Sequence, residues 1–239
     1  MPRSPADPRR VYCAGPAFNP GERQEMAAIA AGLHQAGFQT FLPHADGLEF
    51  AKVKPILIHW GHPPDAVGRL LHEAIFALNV YQLVLRCGAL VLNLNGRTPD
   101  EGAVAESTVA WMLGKPVVIY KEDVRSLMAG RDHPLVVGQT GFEVLTRREL
   151  IGPALEAKIA CLPGPGAGGV PCPAGLASPL EQGEQLWQRL EMLGEGRPAE
   201  EMARTTLELF AGYRPEDSKL GLRRPTQPDG SAARPKRVY

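Results

Sequence analysis

The apolar positions of the first 160 residues follow two different periods. Short continuous apolar runs predict four buried β-strands, at 10–14, 38–42, 89–94 and 116–120. Apolar residues at helical spacing predict helices at 21–37, 65–86, 100–113 and 147–160, with another near 122–129. Strands and helices that alternate through short connections indicate βαβ units and a parallel sheet. We therefore expect an α/β domain whose ligand site lies at the carboxyl ends of its strands.

One segment of this domain fits neither period. Residues 44–64 contain the polar stretch DGLEF, the apolar patch PILI and the sequence HWGHPP. We expect an irregular excursion there, with or without a short helix.

Changes in composition divide the chain into five parts. Residues 1–9 are charged and Pro-rich and predict a flexible arm before the α/β domain at 10–162. A Gly/Pro linker at 163–178 separates that domain from a helical appendage at 179–213, which is too small for a core of its own. We expect the appendage to pack on the main domain or on a neighbouring subunit. The polar, Pro-rich tail at 214–239 predicts disorder, with a peptide packed along a partner as the alternative.

Composition and charge exclude several classes of function. The formal net charge is zero, so neither nucleic acid nor a membrane is expected as a partner. The four cysteines have the spacing of neither a zinc site nor a redox pair, and Cys13 and Cys87 lie in apolar runs typical of buried thiols. The N-terminus carries no apolar signal core, and no apolar run is long enough to span a membrane. We expect a cytoplasmic protein without a metal or another cofactor.

The helix at 100–113 carries the main candidate for chemistry. After its first turn it is almost entirely apolar, which predicts a helix that is buried on all sides. Glu106 lies in its middle, and an unpaired buried carboxylate is costly. We therefore expect Glu106 to have a hydrogen-bond partner, a cation or a catalytic role.

Three further residues are candidates for the same site. Tyr12, in the first strand, has a hydroxyl that can hold Glu106, although a core tyrosine is the more common role at such a position. Asp100 and Gly102 begin the helix, directly after the carboxyl end of a strand. Asp100 is either a helix N-cap only or a residue that faces the ligand crevice as well.

The motifs around these residues resemble those of a known family. They are VYCAGPAFN at 11–19, LPHADGLEF at 42–50, the stretch from IFALN to GAVAES at 75–107, and LGKPVVIY at 113–120. In order and spacing they are similar to the nucleoside 2-deoxyribosyltransferases and the related nucleotide N-glycosidases. The resemblance covers about residues 10–150 and leaves out the C-terminal third.

This resemblance implies a flavodoxin-like, doubly wound parallel sheet and a homo-oligomer of two or more chains. It implies that Glu106 is the nucleophile that attacks C1′ of the sugar, that Tyr12 orients this carboxylate, and that Asp100 binds the 5′ hydroxyl. Other residues would line the nucleobase side of the pocket, namely Gly15, Pro16 and Phe18. The partners would be a nucleoside and a nucleobase.

The chain departs from the family pattern at several positions. Asn79 stands where relatives have an Asp that serves as general acid toward the departing base. Relatives also have Asp at the positions of Gly88 and Asn95, and a pair such as Leu-Gly where this chain has Ser107-Thr108. Asp46 is an alternative source of a carboxylate near the base.

Two hypotheses on function follow. The chain is either an enzyme that cleaves or exchanges the N-glycosidic bond of a (deoxy)nucleoside, or a binding module that senses a nucleoside or nucleotide with weak or no catalysis. Tyr12, Asp100 and Glu106 favour the enzyme, whereas Asn79 favours the binding module.

Overall fold

A computed structural model describes residues 6–96, 98–123, 132–162, 174–194 and 196–211. The predicted arm therefore lies mostly outside the described residues. The same holds for most of the helix near 122–129, for most of the linker, and for the tail from 214.

The sheet consists of four parallel strands in the order β2-β1-β3-β4. Their bounds are β1 Asp7–Ala14, β2 Gln39–Phe41, β3 Cys87–Asn93 and β4 Val117–Tyr120. A single parallel bridge from Tyr120 to Leu145 extends the sheet beyond β4. This order matches the first four strands of the flavodoxin-like arrangement. The prediction of a doubly wound parallel sheet is confirmed.

β1 and β3 form the centre of the sheet, and every residue of β3 is buried. β1 starts at Asp7, so the last residues of the predicted arm belong to the strand. A Cβ atom on Gly88 would lie 2.5 Å from the backbone oxygen of Asp7. An Asp at position 88 would therefore push the two strands apart, which explains why this chain has Gly there.

Nine helices surround the sheet in the described part of the chain. Their bounds are α1 Pro20–Gln35, α2 Pro43–Asp46, α3 Phe50–His59, α4 Pro64–Tyr81, α5 Glu101–Met112, α6 Pro134–Val137, α7 Ile151–Ala160, α8 Ala177–Met192 and α9 Ala199–Phe210. For 44–64 we expected an irregular excursion with or without a short helix, and the form with a helix is nearer to the structure, because α2 and α3 occupy most of the segment. Val53 and Leu57 are fully buried, so α3 is a core element despite Pro55 within it.

The helices divide between the two faces of the sheet. On one face, α1 and α7 pack around Val11 and Cys13 of β1. On the other face, α3, α4, α5, α8 and α9 pack around Tyr12 and Ala14. Because side chains alternate along a strand, Tyr12 points to the same face as α5. Cys13 and Cys87 are buried free thiols, as predicted.

α4 continues as a π-helical turn, Gln82–Arg86, that leads directly into β3. Such an end leaves backbone carbonyls without helical partners. The Lys115 amine, just after α5, donates to the carbonyl oxygens of Leu83, Val84 and Cys87 at 2.6–2.9 Å. Burial lowers the pKa of Lys115 to about 8. This contact ties the C-terminal end of α5 to that of α4.

The two C-terminal helices are packed into the main body of the protein. A Cβ atom on Gly183 of α8 would lie 2.1 Å from the carbonyl oxygen of Ala77 in α4, so the two backbones are in direct contact. α9 packs on α3 and α4 through Met202, Ala203 and Phe210. Within the described ranges, no helix combines the length and the apolar character that a membrane span needs.

The helix around Glu106 was predicted to be buried on all sides, with a neighbouring helix or subunit covering what the sheet does not, and this chain alone covers only part of it. Ala103, Ser107 and Ala110 of α5 are buried against the sheet. On its outer side, Val109, Trp111 and Met112 are 38%, 50% and 65% exposed. α5 therefore carries an apolar outer face that this chain itself leaves open to solvent.

Candidate functional site

The site lies where the strand order reverses, between the carboxyl ends of β1 and β3. In open parallel sheets this crevice is the usual place for a ligand. β1 leads into Gly15-Pro16, and β3 leads through Asn93 towards Asp100 and α5.

Tyr12 and Glu106 meet in this crevice although 94 positions separate them in the sequence. The Tyr12 hydroxyl donates a hydrogen bond to Oε1 of Glu106 over 2.6 Å. This is a short, charge-assisted bond when the carboxylate is ionised. Glu106 is half-buried, and Tyr12 is fully buried.

Burial raises the pKa of Glu106 to about 7. The Tyr12 hydrogen bond lowers this pKa, and the nearby carboxylate of Asp100 raises it. Glu106 therefore exchanges its proton near neutral pH, and it is a strong base for a carboxylate once ionised.

Tyr12 is held in place by its neighbours in the sheet. Its ring contacts Phe41 of β2, with centroids 5.5 Å apart, and both rings are fully buried. Burial, and then the charge of Glu106, raise the pKa of Tyr12 well above its usual value. Tyr12 therefore keeps its proton and acts as a hydrogen-bond donor.

Asp100 is both a helix cap and a neighbour of the candidate nucleophile. It is the N-cap of α5, and its side chain accepts a hydrogen bond from the backbone N–H of Ala103 at 3.0 Å. Its negative charge also raises the pKa of Glu106. Gly102 follows in the first turn, and a Cβ atom there would lie 3.1 Å from Oδ1 of Asp100. Asp100 is therefore an N-cap of α5, and its role toward a ligand stays a prediction.

The turn after β1 is tightly packed at its base and open at its tip. A Cβ atom on Gly15 would lie 2.7 Å from Sδ of Met26 and 2.8 Å from Cβ of Asn93. Gly15 is thus the residue that lets β1 pass between α1 and β3. Pro16 is buried, whereas Phe18 is 81% exposed beside the crevice.

The N-terminus of α1 fixes the backbone of this turn. Asn19 and Glu22 form a capping box, and Glu22 also accepts a hydrogen bond from the N–H of Phe18 at 2.7 Å. The backbone at Phe18 is therefore held, while its ring is free to meet a ligand.

The structure does not join Asp46 or Asn79 to Glu106 by a hydrogen bond. The Asp46 carboxylate accepts from the N–H of Leu42 at 2.7 Å, at the carboxyl end of β2. Asn79 is half-buried on α4, which lies on the same face of the sheet as α5. Within the described residues its amide has no hydrogen-bond partner.

Asn95, just after β3, has a structural role that was not predicted from the sequence. Asn95 accepts from the backbone N–H groups of Glu122 and Asp123 at 2.8 and 2.9 Å, and its amide donates to Glu25 of α1. Both hydrogen-bonding functions of the Asn95 side chain, the amide donor and the oxygen acceptor, are therefore in use. Asn95 therefore shapes the crevice by tying β3, β4 and α1 together, and the sequence signals it only as a polar residue after a strand.

Ser107 and Thr108, which depart from the family pattern, serve the packing of α5. The buried Ser107 hydroxyl donates to Oε1 of Gln139 over 2.5 Å. The amide of Gln139 donates to Oγ1 of Thr108 over 3.0 Å. These bonds dock α5 on the segment that contains α6, and nothing in the sequence singles out Gln139.

The arrangement combines a carboxylate that titrates near neutrality with a neutral donor beside it, at the carboxyl ends of the central strands. Among the residues that the structure describes, no group of three or more His, Cys, Asp or Glu side chains is placed to hold a metal ion. A carboxylate of this kind can attack an electrophilic carbon or exchange a proton with a ligand.

Comparison with known proteins gives one family. The model of the nucleoside 2-deoxyribosyltransferase family matches residues 11–167. No curated protein matches the chain. Among solved structures, a conserved protein from Enterococcus faecalis V583 is similar, with 18% identity and a TM-score of 0.41, over 65% of this chain and 99% of that chain.

Proposed function

The chain belongs to the nucleoside 2-deoxyribosyltransferase family, and we propose that it cleaves or exchanges the N-glycosidic bond of a (deoxy)nucleoside with Glu106 as the nucleophile. The observation that carries this proposal is the Glu106 carboxylate in the crevice, held by the Tyr12 hydroxyl at 2.6 Å. The test is a panel of nucleosides and 5′-monophosphates, incubated with and without an acceptor base and separated by chromatography. Release of free base from none of them would contradict the proposal.

The proposed reaction has two displacements at C1′ of the sugar. In the first, the bond from C1′ to the base nitrogen breaks, its electron pair leaves with the base, and an oxygen of Glu106 bonds to C1′. In the second, a nitrogen of another base, or water, attacks C1′ and releases the carboxylate; the attacking group gives its proton to solvent, which also supplies the proton that the departing base takes up. Both transition states have positive charge at C1′, which the carboxylate stabilises, as in retaining glycoside hydrolysis.

The protonation states of the two residues suit this reaction. Glu106 must be ionised to attack, and its raised pKa of about 7 makes it a stronger nucleophile than an ordinary carboxylate. Tyr12 must stay neutral to hold it, and its pKa lies well above the usual value. The rate is therefore expected to rise as the pH increases through about 7.

The alternative is a nucleoside-binding module with weak or no catalysis. Asn79 favours it, because an amide has no proton to give to the departing base. Glu106 argues for the enzyme, since a half-buried carboxylate whose pKa is raised by desolvation is an avoidable cost without a catalytic task.

Asn79→Asp is expected to increase turnover by at least about tenfold, because general acid catalysis typically contributes roughly 10²–10⁴-fold. The rate of base release is measured across the pH range for both proteins. Gln185→Glu, which adds the same charge on the exposed side of α8, is the control. An unchanged or lower rate in Asn79→Asp at every pH would mean that another group already serves as the acid.

The site is expected to bind a free nucleoside at least about fivefold more tightly than its 5′-monophosphate. A helix N-terminus usually attracts phosphate, but α5 begins with Asp100 and Glu101. At about 4 Å, two unit charges repel by roughly 1–4 kcal/mol, which corresponds to about fivefold to several hundredfold in affinity. A 5′ hydroxyl, in contrast, can donate to Asp100.

Calorimetry on Glu106→Ala, with a deoxynucleoside and its 5′-monophosphate, measures this preference. Asp100→Asn keeps an N-cap residue and removes the charge, so the affinities for the nucleoside and for its 5′-monophosphate should become more similar. Tighter binding of the monophosphate to the Asp100 form would contradict the prediction. Arg97, a cation three positions before Asp100 in the sequence that would oppose this preference, lies outside the described residues.

We also propose that the chain forms a homo-oligomer through the apolar outer face of α5. Large exposed apolar patches usually mark interfaces, and Trp111 and Met112 are half or more exposed. Light scattering at micromolar concentration should give at least two chains, and Trp111→Glu should reduce that number. Met192→Glu, at an exposed Met on α8, is the control. A monomeric parent protein would contradict this proposal.

A further inference from the structure

The C-terminal helices reach the candidate site through a row of aromatic rings. The ring of Trp187 in α8 meets Phe41 edge-on, with centroids 5.8 Å apart. Phe41 contacts Tyr12 with centroids 5.5 Å apart, and Tyr12 donates to Glu106. Only the Phe41 side chain thus lies between the rings of Trp187 and Tyr12. Trp187 lies beyond residues 11–167, the range that the family model matches.

Arg197, between α8 and α9, adds a second connection. Its guanidinium lies over the Trp187 ring, 5.2 Å from the centroid, and donates to the backbone oxygen of Asp46. The Asp46 carboxylate in turn accepts from the N–H of Leu42, the residue after Phe41. The C-terminal region therefore holds the carboxyl end of β2 both through a ring and through the backbone.

Trp187 is placed by packing and not by a polar bond. It is 4% exposed, and its indole N–H has no hydrogen-bond partner among the described residues. Burying an unpaired donor costs free energy, so the other contacts of the ring must stabilise the folded protein enough to offset that cost. Its contacts are with Phe41, with Arg197 and with the guanidinium of Arg10 at 5.4 Å from its centroid. A phenyl ring at this position would keep the aromatic contact and remove the unpaired donor.

We propose that Trp187 and Arg197 are positioning residues, which hold Phe41 and thereby keep the Tyr12 hydroxyl on the Glu106 carboxylate. This inference rests on the proposed function of Glu106. It assigns a task in the reaction to the C-terminal helices, which the family model does not cover.

The consequence is a change in the behaviour of Glu106 and not only in stability. An aliphatic side chain at position 187 removes the ring that packs against Phe41 and leaves space there, so the Tyr12 ring moves and its hydrogen bond to Glu106 weakens. The titratable groups that act on Glu106 are Tyr12 from β1 and Asp100 at the start of α5. Because the Tyr12 bond favours the ionised form, its loss shifts the titration of Glu106 to higher pH.

The test compares full-length Trp187→Leu, Trp187→Phe and Arg197→Met with the parent protein. Two quantities are measured: the pH dependence of kcat and KM for base release, and the titration of the Glu106 carboxyl carbon by NMR, assigned with Glu106→Gln. Arg189→Met is the matched control, because it breaks the exposed Arg189–Glu208 contact between α8 and α9 without touching the row of rings.

Trp187→Leu is expected to lower kcat by about tenfold or more with little change in KM. The midpoint of the Glu106 titration should rise by about half a unit or more. Arg197→Met should likewise lower kcat and raise the midpoint of the Glu106 titration. Trp187→Phe should behave like the parent. If Trp187→Leu does not fold, Arg197→Met and Trp187→Phe decide the matter.

An unchanged Glu106 titration in both Trp187→Leu and Arg197→Met would overturn the inference, and so would an equal shift in Arg189→Met. The NMR titration needs no turnover. Failure of the parent protein to cleave any nucleoside would therefore contradict the proposed function while leaving the positioning role open to this direct measurement.

Discussion

Glu106→Gln is expected to reduce turnover by at least roughly a thousandfold, the scale on which loss of a covalent nucleophile acts. Glutamine keeps the shape of the side chain and still accepts a hydrogen bond from Tyr12, but its amide oxygen cannot form the bond to C1′. The rate of base release from the best substrate of the nucleoside panel measures the effect.

The fold of Glu106→Gln should be unaffected, and its stability should increase above neutral pH. A group whose pKa is raised in the folded protein stabilises it below the unfolded pKa of 4.5, and this contribution is lost as the pH rises through about 7. Replacing Glu106 by an uncharged residue removes that loss, so the melting temperature should exceed that of the parent at pH 8. Glu156→Gln, an exposed carboxylate on the opposite face of the sheet, controls for the charge change. Parent-like rates in Glu106→Gln would mean that Glu106 is structural.

Tyr12→Phe is expected to slow the reaction by about ten- to a hundredfold and to move the acid side of its pH profile upward. A hydrogen bond to a charged group contributes about 1.5–3 kcal/mol. The Tyr12 bond favours ionised Glu106, so without it a higher pH is needed to produce the nucleophile. The kcat against pH profile of both proteins gives both effects.

Tyr120→Phe is the matched control for this variant. Tyr120 is a buried tyrosine on the parallel strand β4, but its hydroxyl donates to Glu122 at 2.7 Å and lies on the other face of the sheet. Its removal should leave the pH profile unchanged. A profile in Tyr12→Phe that falls in height without moving along the pH axis would show that Tyr12 supports the site without acting on the charge of Glu106.

The sheet was predictable from the sequence because burial of its central strands is almost complete. β3 is apolar over six of its seven residues if glycine is counted, and such a run fits a strand that is covered on both faces. α2 and α3 were not predicted, since Pro43, Pro55 and the polar stretch between them interrupt the helical period. Packing of Val53 and Leu57 outweighs those local signals.

The candidate site was predictable only in part. Glu106 stands out because a charge in an apolar helix needs a reason, and the strand position of Tyr12 brings it to the same edge of the sheet. The exposure of Trp111 was not predictable, because apolar residues all around a helix do not tell whether the same chain or another one covers them. Gln139 and Trp187 were missed because each acts through a contact between residues far apart in sequence.

The proposed mechanism depends most directly on a covalent bond between Glu106 and the sugar. A nucleoside with fluorine at C2′ should reveal this bond, because the electron-withdrawing fluorine destabilises positive charge at C1′ and slows the release of the intermediate. The full chain is incubated with this nucleoside in the absence of an acceptor base, and its peptides are analysed by mass spectrometry. We expect one fluorinated sugar per chain, which is attached to Glu106 and is lost when an acceptor base is added. Release of the base from this nucleoside with the sugar attached to a different residue, or to none, would contradict it.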